Sequence, residues 1–176
     1  MKIKIIIFIS FICFGCTKIN PRRPIEAKPS TTILKETIKE SIKLNKVEDT
    51  KISNLIKKDS IHNYILSPKG YWYTYNTKIN ENTPTPKTGD LVTLEYNLSN
   101  LKGETIYSKE ILGVKKYNVD KEDFISALQS GIKLMKVGET ITFVIPSYNA
   151  FGISGDGNKI GINQSIISTV TLINIK

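Results

Sequence analysis

Cysteine and histidine are almost absent from this sequence. Both cysteines lie at or before residue 16, and His62 is the single histidine. The rest of the chain therefore offers no disulfide, no thiolate metal site and no cysteine nucleophile. One histidine also argues against a His-based zinc site and against a Ser-His-Asp triad. We therefore expect a function that depends on neither a thiolate or histidine metal site nor a cysteine nucleophile.

A hydrophobic run long enough to cross a membrane is also missing. The apolar run of residues 5–14 is shorter than the roughly 20 residues of a transmembrane helix, but it suits the core of a secretory signal. It ends at Gly15-Cys16, which resembles the bacterial lipobox, although Cys13 stands where an aliphatic residue is usual. We predict a lipoprotein signal peptide over residues 1–15 and a mature chain acylated with palmitate at Cys16. An uncleaved signal anchor and a soluble secreted protein are the alternatives.

Concentrated charge of one sign is lacking as well. The formal net charge is +9, but the lysines are spread along the whole chain instead of forming one block. A basic balance can indicate nucleic acid or an anionic surface. For an exported chain this distribution favours a solvated surface close to anionic lipid or glycan, and we expect no nucleic-acid partner.

Two segments separate the predicted signal from the first strand. Residues 16–32 contain three prolines and read as an extended tether. Residues 33–66 contain neither glycine nor proline, and Leu34, Ile38 and Ile42 recur at helical spacing. This predicted helical arm is compatible with helices packed on the following domain, with a stalk, or with self-association.

The remaining residues, 67–176, alternate between strand and turn signals. Residues 71–75 are rich in aromatic residues, residues 90–98 and 140–145 alternate apolar with polar positions, and residues 166–175 form a last predicted strand. Asp120 is a suitable N-cap for one helix that Gly131 would end. The order predicts an α+β fold in which an antiparallel sheet wraps around one short helix.

Several of these residues occur in patterns that resemble the FKBP-type peptidyl-prolyl isomerases, over roughly residues 70–176. The most specific pieces are the Gly131–Glu139 segment and the Pro146–Gly152 segment, in which G-x-x-x-M-K-x-G-E and P-x-x-x-A-F-G follow each other. Signal, tether, arm and domain together resemble the gliding-motility-associated lipoprotein isomerases of the Bacteroidetes. The resemblance implies an envelope isomerase that acts on X-Pro bonds of exported polypeptides and needs no cofactor.

The resemblance also implies a set of pocket residues. The positions that it makes catalytic are Tyr96, Phe124, Ile125, Leu128 and Phe151, and those that it makes substrate-binding are Ile106, Tyr107, Tyr117, Ile160 and Ser168. Four of the ten depart from the family pattern, in which the positions of Leu128, Tyr107, Phe151 and Ser168 usually hold Trp, an acidic residue, Tyr and an aromatic residue. These departures leave open a second hypothesis, a catalytically weak chaperone or binding module of an envelope machine.

Overall fold

The computed structural model describes residues 30–176, with side chains from Leu34 onward. The predicted signal peptide, Cys16 and most of the predicted tether therefore lie outside the described residues. The chain divides after Ile38, and residues 39–176 form one compact unit. In the described part of the chain, no helix combines the length and apolar composition that a membrane span requires.

One long helix precedes the sheet. Helix α1 spans Ser30–Lys58, so it begins inside the predicted tether and ends before residue 66. Its last turn carries Lys57 and Lys58, whose positive charges interact favourably with the negative, C-terminal end of the helix dipole. Ile52 is fully buried, whereas Leu34, Ile38 and Ile42 are exposed. The apolar stripe predicted from helical spacing is therefore present but uncovered in its N-terminal part.

Eight antiparallel strands follow. They are β1 (Ile65–Leu66), β2 (Trp72–Thr77), β3 (Leu91–Tyr96), β4 (Leu98–Asn100), β5 (Thr105–Tyr107), β6 (Lys115–Asn118), β7 (Thr140–Ile145) and β8 (Ile166–Ile175). The main sheet runs β1-β2-β7-β8-β3-β6, and β4 pairs with both β5 and β8. The burial of Val92 and Leu94 confirms the alternation predicted for this region, but the single strand predicted over residues 90–98 is divided at Asn97 into β3 and β4.

Two short helices lie between these strands, at Lys109–Leu112 (α2) and Ser126–Gly131 (α3). A 3-10 turn at Ile132–Leu134 continues α3, and a second one follows β7 at Ser147–Asn149. The inner face of the sheet packs on α3, with Leu128, Ile132 and Phe143 fully buried. The predicted class, an α+β sheet around a short helix with a helix before it, is confirmed.

The predicted start of α3 at Asp120 is wrong. Asp120 has a positive φ of 58°, which Asp tolerates better than most residues, and the helix begins six residues later at Ser126. Its carboxylate accepts hydrogen bonds from Lys133 Nζ at 2.8 Å and from the Thr88 hydroxyl at 2.6 Å. The Lys133 ammonium is the main reason that the pKa of Asp120 lies below its ordinary value. The side chain therefore ties a turn to residues distant in sequence and does not cap a helix.

Helix α3 ends at the predicted residue, but no left-handed C-cap forms at Gly131. Its φ is negative and helical, and the chain continues directly into the 3-10 turn. A Cβ at this position would lie 2.4 Å from Cε1 of the buried Phe143 ring. Close packing of the helix against β7, and not a need for positive φ, explains the glycine.

Candidate active site

An open pocket of about 290 Å³ lies where β3, the start of α3 and the turn after β7 come together. It is lined by Tyr96, Asp123, Phe124, Ile125, Ala150 and Phe151. Four of these six residues belong to the set predicted from the sequence, Tyr96, Phe124, Ile125 and Phe151. The pocket is thus an aromatic and aliphatic surface with one exposed carboxylate, that of Asp123, at its edge.

Aromatic contacts fix the pocket walls. The Tyr96 and Phe124 rings meet edge to face, with centroids 5.3 Å apart and planes at 87°. The Tyr117 and Phe124 ring centroids lie 5.2 Å apart, and Lys115 Nζ lies 5.1 Å from the Phe124 centroid. Burial raises the pKa of the Tyr96 hydroxyl above its ordinary value, so it stays protonated and able to donate a hydrogen bond.

Other predicted site residues lie behind this surface. The side chains of Tyr117, Leu128 and Ser168 have no exposed area, and Ile160 is 2% exposed. Ser168 donates a 2.8 Å hydrogen bond to the Asn97 carbonyl, which satisfies its buried hydroxyl. In this conformation these four residues support the walls from within the core and do not line the pocket. Their predicted roles in substrate contact remain predictions.

Ile106 and Tyr107, on β5, are partly buried against the same core. The Tyr107 hydroxyl donates a 2.5 Å hydrogen bond to Asp156, in the loop of residues 152–161. Asp156 also accepts 2.8 Å hydrogen bonds from the backbone N–H groups of Asn158 and Ile160. Tyr107 on β5 is therefore paired with an acidic residue of the loop.

Asp156 is a structural residue of the site that sequence reasoning missed. Burial alone would raise the pKa of this carboxyl, but the hydrogen bonds from Tyr107 and from two backbone N–H groups hold it below the ordinary value of 3.8. Conversely, the bond to Asp156 raises the pKa of the Tyr107 hydroxyl. The flanking glycines, Gly155 and Gly157, both have positive φ. The G-D-G sequence of residues 155–157 indicates an ordered loop, but nothing in it indicates Tyr107 as the hydrogen-bond partner of Asp156.

Tyr107→Phe is expected to loosen this loop, since it removes a hydrogen bond to the Asp156 carboxylate. Amide exchange at Asn158 and Ile160 should become faster by about tenfold, measured by native-state hydrogen exchange. Because folding lowers the pKa of Asp156, the carboxylate's contribution is present above pH 3.8 and is lost as the pH falls further. Tyr75→Phe, which removes a hydroxyl distant in sequence from this loop, is the control. Parental exchange in Tyr107→Phe would show that the bond does not hold the loop.

The chemistry available at the pocket is binding and desolvation. None of the six lining side chains is a Ser, Cys, His or Lys nucleophile. Over residues 30–176, no group of three or more His, Cys, Asp or Glu side chains is placed to hold a metal ion. What the pocket offers is a low-polarity surface for an apolar group and, at Tyr96, one phenolic hydroxyl.

Comparison with known proteins identifies relatives. The family model described as FKBP-type peptidyl-prolyl cis-trans isomerase matches residues 82–173. A probable FKBP-type peptidyl-prolyl cis-trans isomerase FkpA of Neisseria meningitidis is 31% identical over 90 residues, which are 51% of this chain and 33% of that protein. The crystal structure of FkpA from Escherichia coli superposes with a TM-score of 0.61 at 20% identity, covering 100% of this chain and 82% of the other, and so shows the fold. The chain spans about a third of the length of the curated relative that it matches.

Proposed function

The chain belongs to the FKBP-type peptidyl-prolyl cis-trans isomerase family, and we propose that it accelerates rotation about X-Pro bonds in exported polypeptides of the cell envelope. The observation that carries this proposal is the pocket formed by Tyr96, Phe124, Ile125 and Phe151. A family match covering residues 82–173 includes every residue of that pocket. The arrangement has the size and polarity that suit a proline ring.

The reaction asks little of side-chain chemistry. Rotation about a peptide bond meets a barrier of roughly 18–20 kcal/mol because twisting removes amide resonance. Uncatalysed X-Pro bonds exchange over tens to hundreds of seconds. No covalent bond is made or broken, so a site accelerates the step by binding the twisted amide more tightly than either planar form. An apolar pocket does this by excluding water from an amide whose oxygen is less polar when twisted.

Each pocket residue has a definite part in this proposal. Phe124, Ile125 and Phe151 supply the apolar walls for the proline ring. Tyr96 holds Phe124 edge to face and offers its protonated hydroxyl to a substrate carbonyl. Phe151 has no hydroxyl, so a hydrogen bond that the family usually makes from this position is missing here.

The second hypothesis is a catalytically weak chaperone, or a binding module of an envelope machinery such as that of gliding. The departures at Tyr107, Leu128 and Phe151 support it. The two hypotheses differ in one measurable quantity, the rate at which an X-Pro peptide exchanges between cis and trans in a protease-coupled assay. Acceleration above background supports the isomerase. Binding of the peptide without acceleration supports the module.

The proposed location is the periplasmic face of an envelope membrane, reached through lipid on Cys16 and the tether of residues 16–32. The arm of residues 33–66 and the domain of residues 67–176 follow. Self-association through the arm is a further proposal, supported by the exposure of Leu34, Ile38 and Ile42 at 61%, 49% and 61%. Sedimentation velocity tests it, and a monomer at all concentrations would contradict it.

Cys16→Ser is expected to abolish acylation and to move the protein from the membrane fraction to the soluble envelope fraction. Lipid on Cys16 is the proposed membrane attachment, and each buried CH2 group of an acyl chain contributes about 0.8 kcal/mol to membrane binding. The measurement is metabolic labelling with a palmitate analogue followed by fractionation, with Cys13→Ser as the matched control. A Cys16→Ser protein that still carries label and pellets with membranes would exclude Cys16 as the anchor.

A further inference from the structure

Glu48 of helix α1 makes a concentrated set of hydrogen bonds to the body of the domain. Its carboxylate accepts from the Ser147 backbone N–H at 2.8 Å, from the Ser147 hydroxyl at 2.6 Å and from the Ser165 hydroxyl at 3.2 Å. Both serines are buried, at 3% and 8% exposure. Ile52, one helical turn further on, is fully buried. This part of α1 is therefore an integral part of the compact unit of residues 39–176.

The two serines stand at the ends of the segment that forms one wall of the pocket. Ser147 opens the turn after β7, and Ser165 immediately precedes β8. The segment between them includes Ala150 and Phe151 of the pocket and the loop of residues 152–161. One carboxylate thus holds the beginning and the end of the segment that presents Phe151.

The backbone carries this restraint to Phe151 itself. The Ser147 carbonyl accepts hydrogen bonds from Ala150 N–H at 2.9 Å and from Gly152 N–H at 2.8 Å, on either side of Phe151. The Gly152 carbonyl in turn accepts a 2.8 Å bond from Asn163 N–H. A shift of the Ser147 peptide would therefore move both neighbours of Phe151.

We propose that Glu48 is a positioning residue of the pocket, fixing both ends of the segment that carries Phe151. The inference rests on the proposed function for its consequence in catalysis, but its geometry is independent of it. Glu48 does not line the pocket, so it acts through Ser147 and Ser165. It also lies before residues 82–173, so a residue outside the family-matched segment completes the site.

Asp49, the next residue, separates positioning from simple docking of the helix. It accepts a 2.8 Å hydrogen bond from the Tyr148 hydroxyl, at the end of a side chain that is 39% exposed. This bond also holds α1 to the turn after β7, but it engages no backbone group of that turn. Asp49→Ala therefore weakens helix docking while leaving the bonds to Ser147 in place.

A carboxylate suits position 48 because three hydrogen-bond donors surround it. A carboxylate only accepts, and its two oxygens can serve all three groups at once. In Glu48→Gln, the carbonyl oxygen can still accept from Ser147 N–H and Ser165, while the amide donates to the Ser147 hydroxyl. Gln is therefore expected to restore part of what Ala removes, and Glu40→Ala on the exposed face of α1 serves as the control for the helix.

The experiment compares the parental full chain with Glu48→Ala, Glu48→Gln, Asp49→Ala and Glu40→Ala in two measurements. Hydrogen exchange of the Ala150 and Gly152 amides reports on the segment without reference to activity. Steady-state isomerisation of an X-Pro peptide then separates KM from kcat. Glu48→Ala is expected to speed the exchange and to raise KM, each about tenfold, because the binding-competent position of Phe151 is less populated. Gln should lie between Ala and the parent, and the other two variants should stay within about twofold of the parent.

A Glu48→Ala protein with the hydrogen-exchange rates and KM of the parent would overturn the proposal. An equally large effect of Asp49→Ala would also overturn it, because Glu48 would then act only by docking the helix. If Glu48→Ala does not fold, the Gln variant decides by the same two measurements. If the parent shows no isomerisation, the proposed function fails. Exchange, together with the Kd of the same peptide, then still decides whether Glu48 positions the segment.

Discussion

Phe151→Ala is expected to lower kcat/KM for an X-Pro peptide by about 10- to 100-fold while the protein still unfolds cooperatively. The ring lines the pocket and is only partly buried, so removing it should weaken substrate binding more than it lowers the stability of the fold. Removing an apolar side chain of this size forfeits roughly 1.5–3 kcal/mol of burial, and each 1.36 kcal/mol corresponds to tenfold in rate. The measurement is the protease-coupled rate beside a thermal unfolding curve.

Ile153→Ala is the matched control for this effect. Ile153 follows Phe151 by two residues, is 82% exposed and does not line the pocket. Its variant should retain the parental rate. Phe151→Leu, which keeps apolar bulk, should lie between Ala and the parent. A well-folded Phe151→Ala protein that isomerises at the parental rate would show that the pocket is not the site.

Gly131→Ala is expected to destabilise the protein by about 2–3 kcal/mol, towards the upper part of the range for overpacked cores. In an exposed helix the same change would stabilise by roughly 1 kcal/mol, because Ala is the better helix former. Here the added Cβ would lie 2.4 Å and 2.8 Å from Cε1 and Cζ of Phe143, whose ring has no exposed area into which to move. The sign of the change therefore reports directly on how closely α3 packs on β7.

Denaturant unfolding of a double-mutant cycle tests this packing. Phe143→Leu removes the ring atoms that the new methyl group would meet, so Gly131→Ala should cost less in that background than in the parent. The two positions are in contact, and non-additivity is the expected sign of a shared clash. A Gly131→Ala protein at least as stable as the parent would contradict the close approach.

The parts of the fold that the sequence predicted well are those set by local alternation. The last strand has the predicted bounds, Ile166–Ile175, and β7 has the predicted Thr140–Ile145. Period-two patterns survive because each strand buries one face against the same core. Short elements without such a pattern, α2 and β6, were not anticipated.

The parts that failed depend on partners far along the chain. Asp120 had the local features of an N-cap, but its hydrogen bonds to Thr88 and Lys133 hold it in a turn. Glu48 meets Ser147 across 99 positions, and Tyr107 meets Asp156 across 49. No local sequence pattern predicts hydrogen bonds between residues so far apart along the chain. Sequence reasoning therefore found pocket residues through family motifs but missed the carboxylates that hold the pocket in place.

Exchange NMR on a proline peptide tests the central claim most directly, because cis and trans forms give separate signals. Without protein, the cis and trans forms interconvert over tens to hundreds of seconds. With catalytic amounts of the parental protein, the interconversion rate should exceed this uncatalysed rate and should increase in proportion to protein concentration. The same amount of Phe151→Ala should give a much smaller acceleration. Interconversion at the uncatalysed rate, with peptide signals that nevertheless shift or broaden on binding, would contradict the isomerase and leave a proline-binding module.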